Sequence, residues 1–189
     1  MRRAALLAAA LVCLTLTACG SGPYALLREQ METAKAEGRV VTENGDVTAG
    51  AEVWTAFCEA AQAGETAEVR LADWYDATDS SPARLYFYTL DFDGEVYTLA
   101  AEYGNGNGGD PWQDSYTELL SFSYVPSGAA AEEYESCTGY WLANDPELTL
   151  EDIRRSETAS LESQMVDAHC VYTQRVPKGS GTETKTELP

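Results

Sequence analysis

Residues Arg84 to Tyr103 read RLYFYTLDF, then DG, then EVYTLAAEY. Two runs rich in aromatic and branched residues flank Asp93-Gly94. Both central positions of a type I′ turn need positive φ, and Asp-Gly supplies that. A two-residue loop here pairs Phe92 with Glu95, Leu90 with Tyr97 and Tyr88 with Leu99. Side chains alternate between the two faces of a strand. One face of the hairpin then carries Tyr86, Tyr88, Leu90, Tyr97 and Leu99, and the other carries Leu85, Phe87, Val96 and Ala100. Apolar residues on both faces place the hairpin inside a sheet rather than at its edge.

Upstream, Ala67, Val69 and Leu71 alternate with Glu68, Arg70 and Ala72, a strand pattern. Before it, Val53, Phe57 and Ala61 recur at helical spacing with Trp54 and Cys58 beside them. Thr48 is the expected N-cap of this helix, which runs to about Ala63 and stops at Gly64. Glu43-Asn44-Gly45-Asp46 is a turn signal. Tyr24 to Glu37 reads either as a weak helix, with Tyr24, Leu27 and Met31 on one side, or as a spacer. Downstream, Gly104 to Asp110 is a glycine-rich loop, and Asp76 to Pro82 is a polar one. Tyr116–Val125, Cys137–Ala143 and Met165–Val176 read as strands, with a loop over Gly128–Glu135. Thr149 and Asp152 form a capping box. Residues 177–189 have no apolar period and read as a disordered tail. The pattern predicts an α+β fold with one N-terminal helix across a curved antiparallel sheet of roughly four to six strands, cystatin-like in outline.

The chain opens with Met1-Arg2-Arg3, an apolar run from Ala4 to Thr15, and Leu16-Thr17-Ala18-Cys19. That tetrapeptide reads as a lipobox: small residues before a cut, then a cysteine to carry a diacylglycerol. The apolar run is shorter than the roughly 20 residues of a membrane-spanning helix. The expected organisation is a signal peptide over 1–18, a tether over 19–38, one domain over 39–176 and the tail. The expected location is outside the cytoplasm, on a membrane through lipid at Cys19, as a monomer. Removing residues 1–18 takes away Arg2 and Arg3 and no acid, leaving 10 basic against 31 acidic side chains and a net charge of −21. Such a surface repels phosphate backbones, which argues against nucleic-acid binding, and it favours basic proteins or neutral glycans as partners. Cys58, Cys137 and Cys170 remain in a compartment that permits disulfides. Cys58 lies on the apolar stripe of the helix. Cys137 and Cys170 lie in strand-like segments, so they form the expected pair if a disulfide is present.

The sequence offers little catalytic chemistry. A serine triad needs a histidine, and His169 is the only one. His169 and Cys170 are neighbours in a strand, so they are expected on opposite faces and out of contact. No cluster has zinc-ligand spacing. In Asp91-Phe92-Asp93-Gly94, an EF-hand alignment puts Thr89 and Ala100 at the key ligand positions, so calcium is not expected there. The Gly104–Gly109 loop lacks the ending of a phosphate cradle, and Asn105, Asn107 and Asp110 make a weak calcium set. No cofactor is expected. Asp73, Asp76 and Asp79 beside Trp74 and Tyr75 are the best carboxylate group for glycoside hydrolysis, which needs two groups about 5–9 Å apart. Trp74 and Tyr75 are equally candidates for binding, because aromatic rings stack on sugars.

Residues 39–143 resemble an uncharacterised domain family found in lipoproteins of Gram-positive bacteria. The matching features are Val40-Val41 before Gly45, Val53 and Phe57 on the helix, Gly64, and Val69-Arg70-Leu71. Tyr75, Pro82 and Leu90-Asp91-Phe92-Asp93-Gly94 follow in the same order. The chain departs from that pattern at Asp79-Ser80-Ser81, where the family has glutamate-glycine-aspartate. It departs again at Thr117-Glu118-Leu119, where the family has a cysteine. Cys137 matches the family's later cysteine, so its usual partner is missing. The resemblance implies a lipid-anchored envelope protein and brings no activity. The resulting expectation is a non-enzymatic binding module. The alternatives are an acidic structural or cation-buffering surface protein, and an envelope glycoside hydrolase using Asp73, Asp76 and Asp79.

Overall fold

The structure, a computed structural model, describes residues 23–103, 110–160 and 165–179. The signal segment, Cys19, the glycine-rich loop at 104–109 and the tail from 180 onward lie outside the described residues. In chain order the elements are α1 (Pro23–Ala36), β1 (Val40–Glu43), β2 (Asp46–Ala49), α2 (Ala51–Gln62), β3 (Ala67–Tyr75), β4 (Arg84–Phe92) and β5 (Tyr97–Tyr103). Then follow β6 (Trp112–Tyr116), β7 (Glu118–Tyr124), α3 (Ala130–Glu133), β8 (Tyr134–Ala143), α4 (Leu150–Glu157) and β9 (Ala168–Pro177). The fold class is α+β, as the pattern predicts.

The central hairpin forms, but not with a two-residue loop. Phe92 pairs with Tyr97, Leu90 with Leu99 and Tyr88 with Ala101. Asp93 to Val96 therefore make a four-residue loop. The Asp93 carboxylate accepts the backbone N–H groups of Glu95 and Val96 at 2.9 and 2.8 Å, and this local satisfaction favours the wider turn. The register moves by two residues, so every side chain keeps its expected face. The tight turn occurs at Asn44-Gly45 instead, where both residues have positive φ (53° and 87°) and Glu43 pairs with Asp46. Those are the backbone angles of a type I′ turn, which joins β1 and β2.

The six-stranded sheet runs β2-β1-β3-β4-β5-β6, with β1 beside β3 in parallel and the other neighbours antiparallel. The parallel pair and a second sheet, β7-β8-β9, depart from the single antiparallel sheet expected. Helix α2 starts at Ala51 rather than after Thr48, which lies in β2. Gly50 precedes the helix with φ 75° and no side-chain cap. A Cβ there would sit 2.6 Å from the carbonyl oxygen of Arg39, so the close chain approach needs glycine.

Both faces of the large sheet carry a packed cluster. On one, Trp54, Phe57 and Ala61 of α2 pack with Val69, Leu71, Leu90 and Leu99 and with Leu142 and Tyr172 of the second sheet. Leu71, Leu90 and Leu99 are at most 1% exposed, and each such side chain contributes about 1.5–3 kcal/mol. On the other, Leu27, Met31 and Ala34 of α1 pack on Val41, Ala72, Trp74 and Leu85. Residues 23–36, expected inside a 19–38 tether, are thus part of the folded domain. The domain also runs one residue past its expected end, because Pro177 belongs to β9. Helix α4 begins with the expected capping box, Thr149 with Asp152. Ile153 and Leu148 cover Trp141 and Ala143 on the outer side of the small sheet. The layers are α1, the six-stranded sheet, α2 with the small sheet, and α4. Among the described residues no helix is long and apolar enough to cross a membrane.

Candidate functional site

The face of the large sheet under α2 and β9 is covered at only one end. Cross-strand pairing sets Leu71 opposite Tyr88, Asp73 opposite Tyr86 and Tyr75 opposite Arg84. Moving along this face from Leu71 to Tyr75, the cover runs out and the core gives way to tyrosines. Tyr75 is 46% exposed, and Tyr86 and Tyr88 are half-buried. Ring centroids lie 6.0 Å apart for Tyr75–Tyr86 and 6.5 Å for Tyr86–Tyr88. The stripe continues through Tyr88–Trp112 at 6.4 Å and Trp112–His169 at 5.4 Å. These separations suit offset and edge-to-face aromatic contacts.

The three tyrosines line an open groove of about 520 Å³, rimmed by Asn44, Asp76 and Arg84. The Arg84 guanidinium donates to the Tyr86 hydroxyl at 3.1 Å. A smaller cleft of about 90 Å³ shares Tyr75 and Tyr88 with the groove and runs between the two sheets. It adds Asp73, His169 and Cys170 to the apolar Leu71, Leu99 and Val171. The Thr42 hydroxyl donates to Asp73 Oδ1 at 2.8 Å. Burial pushes the Asp73 carboxyl from 3.8 up to about 6, against the pull of that hydrogen bond. Burial also lowers the His169 imidazole, opposed by the negative charge of Asp114, so the ring is neutral near pH 7.

The aspartates and aromatics singled out in the sequence are not brought together as a group. Trp74 is fully buried under α1, so it does not form part of a surface binding patch. Its indole N–H donates to Asp76 Oδ1 at 2.9 Å, and the Arg28 guanidinium lies over its ring. Asp76 is also tied to Asn44, accepting from its amide at 2.8 Å and donating its own N–H to it at 2.9 Å. The hydrogen bonds from Trp74 and Asn44 hold the Asp76 carboxyl below the usual range. Asp73 lines the cleft, while Asp76 stands at the rim of the groove, tied to Trp74 and Asn44. Asp79 is exposed in the following loop. Of the two aromatic candidates, Tyr75 is in the groove.

His169 and Cys170 both border the cleft, yet their partners Leu142 and Trp141 lie in the inner and outer clusters of the small sheet, in keeping with strand alternation. In β9, Tyr172 pairs with Tyr140 but Cys170 pairs with Trp141, so Val171 is an extra residue. That bulge lies beyond the His169–Cys170 pair, which stays on consecutive register positions opposite Leu142 and Trp141. No thiol–imidazole bond forms among the described contacts; the Cys170 thiol lies 3.6 Å from the Thr173 hydroxyl. Cys137 faces Arg175 while Cys170 faces Trp141. The strands are neighbours, as expected, but the offset of four residues is about 13 Å along the sheet. That is far beyond disulfide reach, and Cys58, Cys137 and Cys170 are free thiols.

Two other concavities, of about 470 and 310 Å³, are lined by side chains that contact one another. In one, the Tyr134 hydroxyl donates to Asp46 at 2.7 Å and Arg175 lies 3.4 Å from the same carboxylate. In the other, Trp54 stacks on Tyr172 with centroids 4.5 Å apart. Among the described residues no three His, Cys, Asp or Glu side chains are arranged to hold a metal. No family model, curated protein or solved structure matches the chain.

Proposed function

We propose that the protein is a non-enzymatic binding module, tethered outside the cytoplasm by lipid at Cys19, that takes its ligand on the tyrosine groove. The observation that carries this is the stripe of Tyr75, Tyr86 and Tyr88 on the floor of an open groove with a polar rim. Tyrosine offers large rigid contact area with a hydroxyl for orientation. A concave site of this kind also speaks against a purely structural or cation-buffering surface. The engagement of Asp76 by Trp74 and Asn44 speaks against a hydrolase working through the Asp73–Asp79 segment.

The test uses the full mature chain with Cys19→Ser, which carries no lipid. It is titrated with soluble cell-wall glycan fragments and with basic peptides. A ligand is expected to bind, with affinity falling about tenfold in Tyr75→Ala and Tyr86→Ala while the unfolding midpoint stays put. Glycan turnover that disappears when Asp73, Asp76 and Asp79 become asparagine would overturn this function. The tether has its own test: Cys19→Ser is expected to abolish lipid labelling, and normal labelling of that variant would refute it.

A further inference from the structure

The small cleft at the inner end of the groove has an unusual composition. Its polar floor is Asp73, one oxygen of which accepts from Thr42. Among the described residues no lysine, arginine or histidine forms an ion pair with that carboxylate, although eight other ion pairs occur. A charge removed from water is ordinarily paired, because its desolvation is otherwise uncompensated. Around Asp73 stand the rings of Tyr75 and Tyr88, and the apolar Leu71, Leu99 and Val171. Tyrosine faces attract cations. His169, the one basic side chain lining the cleft, is held neutral by burial and does not repel one.

We propose that this cleft receives the ammonium group of a lysine side chain on a basic peptide lying along the tyrosine groove, with Asp73 as its counter-charge. The inference rests on the groove being the binding site, and it names the ligand class. The size agrees: a cleft of about 90 Å³ has room for an ammonium and its last methylenes. The methylene stem leaves along Tyr75 and Tyr88, which line both cleft and groove. Arg84 at the outer rim meets the acceptor groups of the peptide chain. The formal charge of −19 draws such a ligand in at long range.

The titratable groups facing the cleft are Asp73 and Tyr75 from β3, Tyr88 from β4, and His169 and Cys170 from β9. Near pH 7 only Asp73 among them is charged. A bound ammonium stabilises the carboxylate, so binding weakens as pH falls through about 6 and Asp73 takes up its proton.

The experiment compares two synthetic pentapeptides, acetylated and amidated, with a central lysine or a central Nε-acetyl-lysine, by NMR titration of the lipid-free full chain. The lysine peptide is expected to bind at least about tenfold tighter near pH 7.5, and the preference is expected to vanish near pH 5. Asp73→Asn, which keeps an acceptor for Thr42, is expected to bind both peptides alike. Tyr75→Ala is expected to weaken both. Equal binding of the two peptides to the unaltered protein, or a preference that survives Asp73→Asn, would overturn the ammonium site. Because the peptide comparison on the unaltered protein needs no variant, a folding defect in Asp73→Asn does not protect the proposal. If neither peptide binds while glycan fragments bind through Tyr75, the ligand class is wrong and the groove reading stands. If nothing binds and Tyr75→Ala changes nothing, both fail.

Discussion

Asp73 sits opposite Tyr86 on a sheet face that is only half covered, and its carboxyl is raised from 3.8 to about 6 by burial. The sign of the consequence is opposite to that of a salt-bridged carboxylate. Between those two pH values the folded protein holds a proton that the unfolded chain has released. The contribution of Asp73 to stability is therefore greatest below about 3.8, falls as pH rises to about 6, and levels off above that. This is the direction that proton linkage requires. Two pKa units correspond to at most about 3 kcal/mol. Asp73→Asn is expected to raise stability near neutral pH by about 1–3 kcal/mol and to flatten the slope, read by urea unfolding at several pH values. Parallel pH profiles for the two proteins would show that Asp73 is not the group responsible. Gly139 is a second residue with a defined local role. A Cβ there would lie 2.2 Å from Cη2 of Trp141, because the indole folds over the residue two positions earlier on the same face. Gly139→Ala is expected to cost about 1–3 kcal/mol by overpacking, with a blue- or red-shifted tryptophan emission as the indole moves. An unchanged unfolding midpoint would mean the ring relocates freely.

Among the elements, the β1–β2 hairpin is where the two sheets are fastened together. Arg175 of β9 donates to the Asn44 carbonyl at 3.1 Å, pairs with Asp46, and lies over the Tyr134 ring. Its guanidinium also fills the space that a Cβ on Gly45 would need. The type I′ turn thus gives β9 a flat surface to rest on. Asp46→Ala removes the acceptor for both Tyr134 and Arg175. It is expected to cost about 1–2 kcal/mol, more than an ordinary exposed ion pair, because it leaves the Tyr134 hydroxyl and the guanidinium without their shared acceptor. Denaturant unfolding decides the point, and a change below about 0.5 kcal/mol would reduce the contact to surface decoration. The same element shows why turn type was hard to assign. Asp-Gly and Asn-Gly carry the same positive-φ signal, yet only Asn44-Gly45 has positive φ at both residues, whereas in Asp93-Gly94 the glycine alone does. Asp93 spends its carboxylate on two backbone N–H groups, and the number of residues in that loop follows from this satisfaction rather than from dihedral preference.

For the whole molecule, the decisive feature is that the six-stranded sheet carries a packed core on both sides, one of them covered along only part of its length. Helix α1 closes one side with Leu27, Met31 and Ala34, and Met31 is wholly buried. Met31→Ala is expected to cost about 2–5 kcal/mol, measured as a drop in unfolding midpoint. A spacer, by contrast, would tolerate the change without effect. The mean direction of the hydrophobic pattern was legible in the residues themselves. Alternation in Arg84–Tyr103 assigned each side chain to its face, and that assignment survived a two-residue shift in register because the period of a strand is two. The stripe on α2, the strand at Val69 and Leu71 and the capping box at Thr149 were legible for the same reason: each is a local signal with a local cause. Which face of β3 meets solvent was not. Trp74 and Tyr75 are adjacent and equally aromatic, and only the docking of α1 puts the first in the core and leaves the second in the groove. The approach of Asp73 to His169 and Cys170 across one cleft was also invisible, because it depends on one sheet stacking over another. Local sequence sets what a segment is; the pairing of distant segments sets what its side chains face, and the chemistry of this groove and cleft belongs to the pairing.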